Sequence, residues 1–360
     1  MKKIKTISLI QLPPPIHGAS ITNKRVDSIL SRTESISNKS FRLNYAKSFE
    51  EMHCSPLKKA KYTAKLLISV VLEYIKSKPR ITYIAFSPFG PGFYRDFFFV
   101  ALARAFSSKP FLHLHGTGLS KNKSKIKKQL LRWMFKDSKL IIISPSLHSD
   151  VADFAPPSNT ATIENCVDDP GTLEKARTQN IKILYLANLD ERKGVKTAIS
   201  AFSLIKENYS KAQLIIAGSD TSLLTKESLK EFINTHHPEI SQDIHLLGPV
   251  YGEDKNKLFI SADIFLYPSQ HDAAPLVVLE ALSYGIPVIC SSQGALPDMI
   301  KHGENGFISH SNSISEYEFF FRACVNDIER LSASARKTYL DNYSPSTFER
   351  KITSLFLTGS

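Results

Sequence analysis

The chain has 360 residues, 42% of them hydrophobic and 22% charged, with a net charge of +12. This length exceeds one ordinary core and implies two domains, at ~100–200 residues each, and the composition excludes a disordered chain. The longest apolar runs, LLISVVL at 66–72 and LIIIS at 140–144, are too short for a membrane-spanning helix, which needs ~20 residues.

The charge is unevenly spread. Residues 1–168 hold 27 Lys and Arg against 11 Asp and Glu, whereas residues 169–360 hold 19 against 23. A basic first half points to an anionic partner: nucleic acid, an anionic membrane surface or a phosphate-bearing substrate. No helix-turn-helix, zinc or aromatic-stacking motif accompanies it, which disfavours nucleic acid. The cysteines Cys54, Cys166, Cys290 and Cys324 are widely spaced, with no C-x-x-C. That pattern points to a reducing cytosol and away from zinc or a disulfide frame.

In chain order, MKKIKTISLIQLPPP opens like a signal peptide, but ISLIQL is short and no small-residue cleavage site follows, so it reads as a first β-strand. Strands are predicted at 6–12, 41–46, 81–87, 111–116, 139–144 and 161–167, and again at 182–188, 213–219, 244–250, 264–269, 287–292 and 306–309. Each is a continuously apolar run between helical stretches, as expected of parallel strands covered on both faces. Six and six make two doubly wound α/β domains in tandem: residues 1–168 and 169–343, with the boundary in the polar stretch 168–180. An amphipathic segment, PSTFERKITSLFL, lies within a last helix (344–360), which is expected to pack back on the first domain.

Ligands of such sheets sit at the carboxyl ends of the strands. There, Gly18 follows the first strand and opens a helix. It is either a structural turn residue or a point where phosphate approaches the backbone. The pattern is not G-x-G-x-x-G, and no acidic residue ends the second strand, so a nicotinamide enzyme is disfavoured. In FLHLHG, His113 and His115 share a face. His115, nearer the edge, is either a core histidine or a polar contact in a cleft. Lys193-Gly194 precedes a helix and makes an anion site. HDAAPLVVLE (271–280) puts Glu280 in a very apolar helix between Pro275 and Gly285. Glu280 lies either on a narrow exposed stripe or against a partner that offsets its burial.

Pro268-Ser269, Asp272-x7-Glu280 with Pro275 between them, Gly285-Ile-Pro287-Val288, Gly294 to Asp298, and Asn305-Gly306 together resemble the donor-site signature of the family 4 retaining glycosyltransferases. Gly18, His115-Gly116, Asn165-Cys-Val167-Asp168, Lys193-Gly194, Gly218 and Gly248 extend the resemblance over nearly the whole chain. It implies the glycosyltransferase B fold, two Rossmann-like domains facing a cleft, and sugar transfer from a nucleoside-diphosphate sugar with retention of configuration. It implies no cofactor and no metal. On the same basis, Glu280 accepts from the ribose hydroxyls and Asp272 contacts the sugar near its 3-hydroxyl. Backbone N–H groups of Ala273 and Ala274 hold the sugar, and Lys193 neutralises the diphosphate together with the Gly18 N–H. His115 contacts the sugar or supports the transition state. Gly218 and the backbone near Pro249 and Val250 border the nucleotide.

Two positions depart from the family pattern. Asp272 stands where Glu is usual, and Asn188 where an arginine commonly pairs with the diphosphate, with Arg192 as the nearby alternative. The implied acceptor is a lipid-linked saccharide of bacterial surface polysaccharide synthesis, and the implied location is the cytoplasm or the inner membrane face. Two basic amphipathic stretches, 55–78 and 120–139, accord with this. In the second, Ile126, Leu130, Trp133 and Met134 share a face that is either a core stripe or a contact with anionic lipid. The rival functions are a non-catalytic nucleotide-sugar or partner-binding protein of the same fold and a sugar-nucleotide epimerase.

Overall fold

The computed structural model describes residues 3–14, 18–43, 56–171 and 180–359. The chain divides into two compact units: residues 1–165 with 346–360, and residues 166–345.

The first unit runs β1 (Ile4–Ile10), α1 (Gly18–Arg32), β2 (Ile36–Arg42), α2 (Pro56–Ser77), β3 (Ile81–Phe86), α3 (Gly90–Ala105), β4 (Lys109–Leu114), α4 (Lys125–Lys136), β5 (Lys139–Ile142), α5 (His148–Val151) and β6 (Thr160–Thr162). Its sheet is parallel, in the order β2-β1-β3-β4-β5-β6. Helices α2, α3 and α4 cover one face. Leu66, Val70 and Tyr74 of α2, Phe93 and Phe99 of α3, and Leu131, Met134 and Phe135 of α4 share one core with Ile84, Leu112 and Leu140 of the strands.

The second unit runs β7 (Lys182–Leu186), α6 (Val195–Asn208), β8 (Gln213–Ala217), α7 (Lys226–His236), β9 (Ile244–Gly248), α8 (Gly252–Ser261), β10 (Ile264–Tyr267), α9 (Leu276–Ser283), β11 (Val288–Ser291), α10 (Leu296–Met299), β12 (Gly306–Ser309), α11 (Ile314–Asn326) and α12 (Ile328–Asn342). This sheet is also parallel, in the order β12-β11-β10-β7-β8-β9. The direction of winding reverses between β7 and β10, and again in the first unit between β1 and β3. Crevices at the carboxyl ends of doubly wound sheets form at such reversals.

The final helix, α13 (Pro345–Thr358), explains its own amphipathic pattern. Phe356 lies against Tyr83 and Phe111, with ring centroids 5.9 and 5.2 Å away, while Lys351 pairs with Glu164 and Glu349 with Arg32.

All twelve predicted strands overlap an observed one, but one is displaced. The prediction at 41–46 meets β2 only at Phe41 and Arg42, and residues 44–46 lie outside the described residues. β2 is an edge strand of sequence ISNKSFR, and polar contacts replace an apolar run. Asn38 Oδ1 accepts from Thr6 and Ser8 of β1, both at 2.8 Å, and Asn38 Nδ2 donates to Asp27 at 3.1 Å. Edge strands β6 and β9 likewise depart from continuous burial, because one side of each has no strand neighbour. A second correction concerns α4. Of the four residues read as sharing either a core stripe or a lipid-facing one, Met134 is buried and Leu130 packs partly against the core, while Ile126 and Trp133 are exposed; the buried face is Leu131–Met134–Phe135.

Candidate functional site

Four consecutive carboxyl-end loops of the second unit gather most of the candidate residues. Asn188, Arg192 and Lys193 follow β7, Gly218 follows β8, and Pro249 and Val250 follow β9. Asp272, Ala273 and Ala274 follow β10, and Glu280 lies one element further on, in α9.

The loops after β7 and β10 are in backbone contact at the reversal point. Gln270 N donates to Arg192 O at 2.8 Å. Gly194, at φ +80°, passes so close to the Pro268 carbonyl that a Cβ would fall 2.2 Å from its oxygen. Only glycine fits that approach and that left-handed backbone. The turn Glu191–Lys193 is capped by Asp190 and delivers Lys193 to the crevice.

Lys193 Nζ forms an ion pair with Asp272 Oδ1 and donates to His271 O at 3.2 Å. Asp272 Oδ2 accepts from Tyr267 at 2.6 Å and from Ser269 at 2.8 Å. Burial first, and the Asp272 charge second, push the Tyr267 hydroxyl well above its ordinary pKa, so it stays a donor. An ammonium has three protons, and these contacts use two, leaving one for an anion. Behind Asp272, the turn glycine Gly294 (φ +57°) would place a Cβ 2.1 Å from the Asp272 carbonyl oxygen, and Ala295 N donates to Ala273 O at 2.8 Å. These contacts fix the backbone of Asp272 and Ala273 at the start of the segment leading to Leu276, the first residue of α9.

The other candidates fall out as follows. Arg192 donates to both carboxylate oxygens of Asp190, is 61% exposed, and holds the Asp190 carboxyl down at about 2. Asn188 is exposed. Glu280 fits neither reading of its helix alone: its neighbours Val278, Leu279, Ala281 and Leu282 are buried, while its own side chain is 26% exposed. Both of its oxygens meet Lys255 of α8, at 2.7 and 2.6 Å. Lys255 escaped the sequence reading because no spacing rule links residues 25 apart on different helices. Tyr267 and Ser269 carry a weak signal, lying just before Asp272 at a strand end.

Gly18 and His115 belong to the first unit. Gly18 starts α1 and His115 directly follows β4. His115 lines a cavity of about 220 Å³ with Gln11, Asn23, Ser87, Phe89 and Gly116. Asn23 is fully buried, and its Nδ2 donates to Gln11 O at 3.1 Å, which turns Oδ1 toward His115 Nε2 at 3.0 Å. Nε2 therefore carries the proton. His113 is the core histidine: it is fully buried beside the Tyr83 hydroxyl (2.6 Å), and burial, then the neighbouring His115, push its pKa far down. Ser87 N is anchored by buried Asp96 at 2.7 Å. Among the described residues no cluster of three or more His, Cys, Asp or Glu could hold a metal ion, and no helix is long and apolar enough to cross a membrane.

Residues 173–337 match the family described as glycosyl transferases group 1. A glycosyltransferase of Methanocaldococcus jannaschii is 36% identical over 124 residues, which is 34% of this chain and 30% of that protein. The chain spans 30–65% of the length of the first curated relatives it matches. In overall fold it is similar to the lipopolysaccharide outer core galactosyltransferase WaaB, with a TM-score of 0.77, 17% identity, and coverage of 99% of this chain and 100% of that one. It is also similar to Anabaena Alr3699/HepE, solved in complex with UDP, with a TM-score of 0.71, 16% identity and coverage of 99% and 100%. At these identities the likeness to the solved structures is one of fold, that of the two-domain glycosyltransferase B architecture.

Proposed function

We propose that the chain, whose residues 173–337 match the glycosyl transferases group 1 family, transfers a sugar from a nucleoside-diphosphate sugar to a lipid-linked saccharide, with retention of configuration and without metal. The acceptor belongs to bacterial surface polysaccharide synthesis, on the cytoplasmic side. The observation that carries the reading is the meeting of Lys193 and Asp272 at the winding reversal of the second sheet, with Glu280 one helix further on.

Each group has a task that suits its chemistry. Lys193 donates a hydrogen bond through its third N–H to the diphosphate, whose charge grows as the glycosidic bond breaks. Asp272 holds Lys193 in place and borders the sugar, whose hydroxyls meet the backbone N–H groups of Ala273 and Ala274. Glu280, pre-aligned by Lys255, accepts from the two ribose hydroxyls. Gly218, Pro249 and Val250 border the base. In the first unit, Gly18 and His115 are the contacts offered to the reactants. The acceptor hydroxyl attacks the anomeric carbon from the face the diphosphate leaves. Its proton passes to the departing phosphate oxygen, so no enzyme nucleophile is required.

Release of nucleoside diphosphate from a nucleotide sugar, with and without EDTA, tests this reading. The rate should be unchanged by the chelator, and the anomeric proton coupling of the product should match that of the donor. Inversion, or loss of turnover with EDTA, overturns the mechanism. Nucleotide binding without any turnover favours a non-catalytic binding protein.

A further inference from the structure

Helices α2, α3 and α4 lie side by side over one face of the first sheet, and each turns large apolar side chains outward as well as inward. On α2, Leu66, Val70 and Tyr74 enter the core, while Ile68 (62% exposed), Leu72 (61%) and Ile75 (59%) form a second stripe at i, i+4 and i+7 on the outside. On α3, Tyr94 and Phe98 are exposed. On α4, the outward residues are Ile126 and Trp133, with the Trp133 ring steadied by Phe97 (5.2 Å) and the Arg104 guanidinium (4.3 Å). A soluble helix layer normally turns one apolar stripe inward and a polar one outward. In the second unit the exposed large apolar side chains are scattered: Leu223 and Tyr251 lie in loops, Leu247 on β9, Ile260 on α8, Leu340 on α12, and Ile314 and Phe319 on α11.

The charges interleaved with this layer have one sign. The three helices contain twelve Lys and Arg against Glu73 and Asp96, and Asp96 is fully buried. Lys61, Lys65, Lys76, Lys125 and Arg132 are exposed among the apolar side chains. Aliphatic and aromatic side chains set between lysines suit the boundary between headgroups and acyl chains, where the apolar parts sink and the ammonium groups meet phosphate. We propose that the outer face of α2, α3 and α4 docks on an anionic phospholipid surface.

The position of the layer gives it a use. Phe89 caps the start of α3, is itself 49% exposed, and lines the 220 Å³ cavity that holds His115 and Asn23. Exposed Tyr94 and Phe98 continue along α3 from that rim. A lipid-borne acceptor held in the docked surface is thereby delivered to the cavity mouth. That link rests on the transferase reading above; the docking does not, and it is measured without turnover.

The test is flotation of the full chain with vesicles of phosphatidylcholine alone and of phosphatidylcholine mixed with phosphatidylglycerol, at low and high salt. The chain should float with the anionic vesicles and be released from them by salt. Two double variants, Leu72→Ser with Phe98→Ser and Lys65→Glu with Lys125→Glu, should each weaken binding by about tenfold or more. Their melting temperatures should be unchanged, because all four side chains are exposed. Should the serine pair melt lower, the lysine pair carries the test. Absence of flotation with anionic vesicles, or full binding by the lysine pair, overturns the proposal. So does a dimer in sedimentation that the serine pair dissolves, which would make this face a contact between copies of the chain.

Discussion

The two cations next to each other at the start of α6 have different partners, and this decides which can serve an anion. Arg192 is exposed and tied by two of its nitrogens to Asp190, whereas Lys193 sits partly shielded in the crevice with one proton unspent. Lys193→Ala should weaken nucleoside-diphosphate binding by about 2–3 kcal/mol, the scale of a hydrogen bond to a charged group. Arg192→Ala should change it by less than about 0.5 kcal/mol. Isothermal titration of both variants checks this, and equal losses would mean that Arg192 leaves Asp190 to reach the ligand. Asn23 offers a second residue-level test. Its amide orientation is set by Gln11, so it selects the His115 tautomer with the proton on Nε2. In Asn23→Leu that selection disappears, and the ¹⁵N shifts of His115 should move from one tautomer toward a mixture. Unchanged shifts would show that another group holds the ring.

At the scale of elements, the loop after β4 owes its shape to one carboxylate. Asp150 of α5 accepts from the N–H groups of Gly118 (2.7 Å), Leu119 (3.0 Å) and Ser120 (2.9 Å), and from the Ser120 hydroxyl (2.7 Å). Burial pushes its pKa up, but these four donors outweigh burial and bring it below the ordinary value. The sign follows: its stabilisation is complete above the unfolded carboxyl pKa of ~3.9 and is lost as the pH falls through the lower folded value. Asp150→Asn should therefore lower stability at neutral pH by about 1–2 kcal/mol and remove this part of the acid-induced loss. Urea melts of both proteins between pH 3 and 7 check it; parallel curves would contradict it. The legibility of elements has the same physical root. Central strands such as ITYIAF are buried on both faces and show as unbroken apolar runs, whereas β2 is held by Asn38, Thr6 and Ser8 and leaves no such trace. In the candidate site, Lys193 and Asp272 are legible because each follows a strand end, and Glu280 because it is a lone carboxylate inside an apolar helix. Lys255 and Asn23 are not, since the groups they hold, Glu280 and His115, lie 25 and 92 residues away.

For the whole molecule, the uneven charge along the sequence becomes a division of labour between two units. The basic first unit carries an apolar and cationic helix layer beside a small polar cavity. The second, less basic unit carries the proposed anion site, whose own cations are mostly paired with carboxylates. The central claim is that this second site takes a nucleoside diphosphate and that Glu280 holds its ribose. The direct measurement is a thermal-shift panel with UDP, GDP, ADP, CDP and dTDP on the wild type and on Glu280→Gln. A ligand at a hundred times its Kd adds ~2.7 kcal/mol of stability, or roughly 5–10 °C for a domain of this size. One diphosphate should raise the wild-type melting point on that scale, with most of the rise missing in Glu280→Gln. No shift with any of the five, or an equal shift in the variant, would contradict the claim.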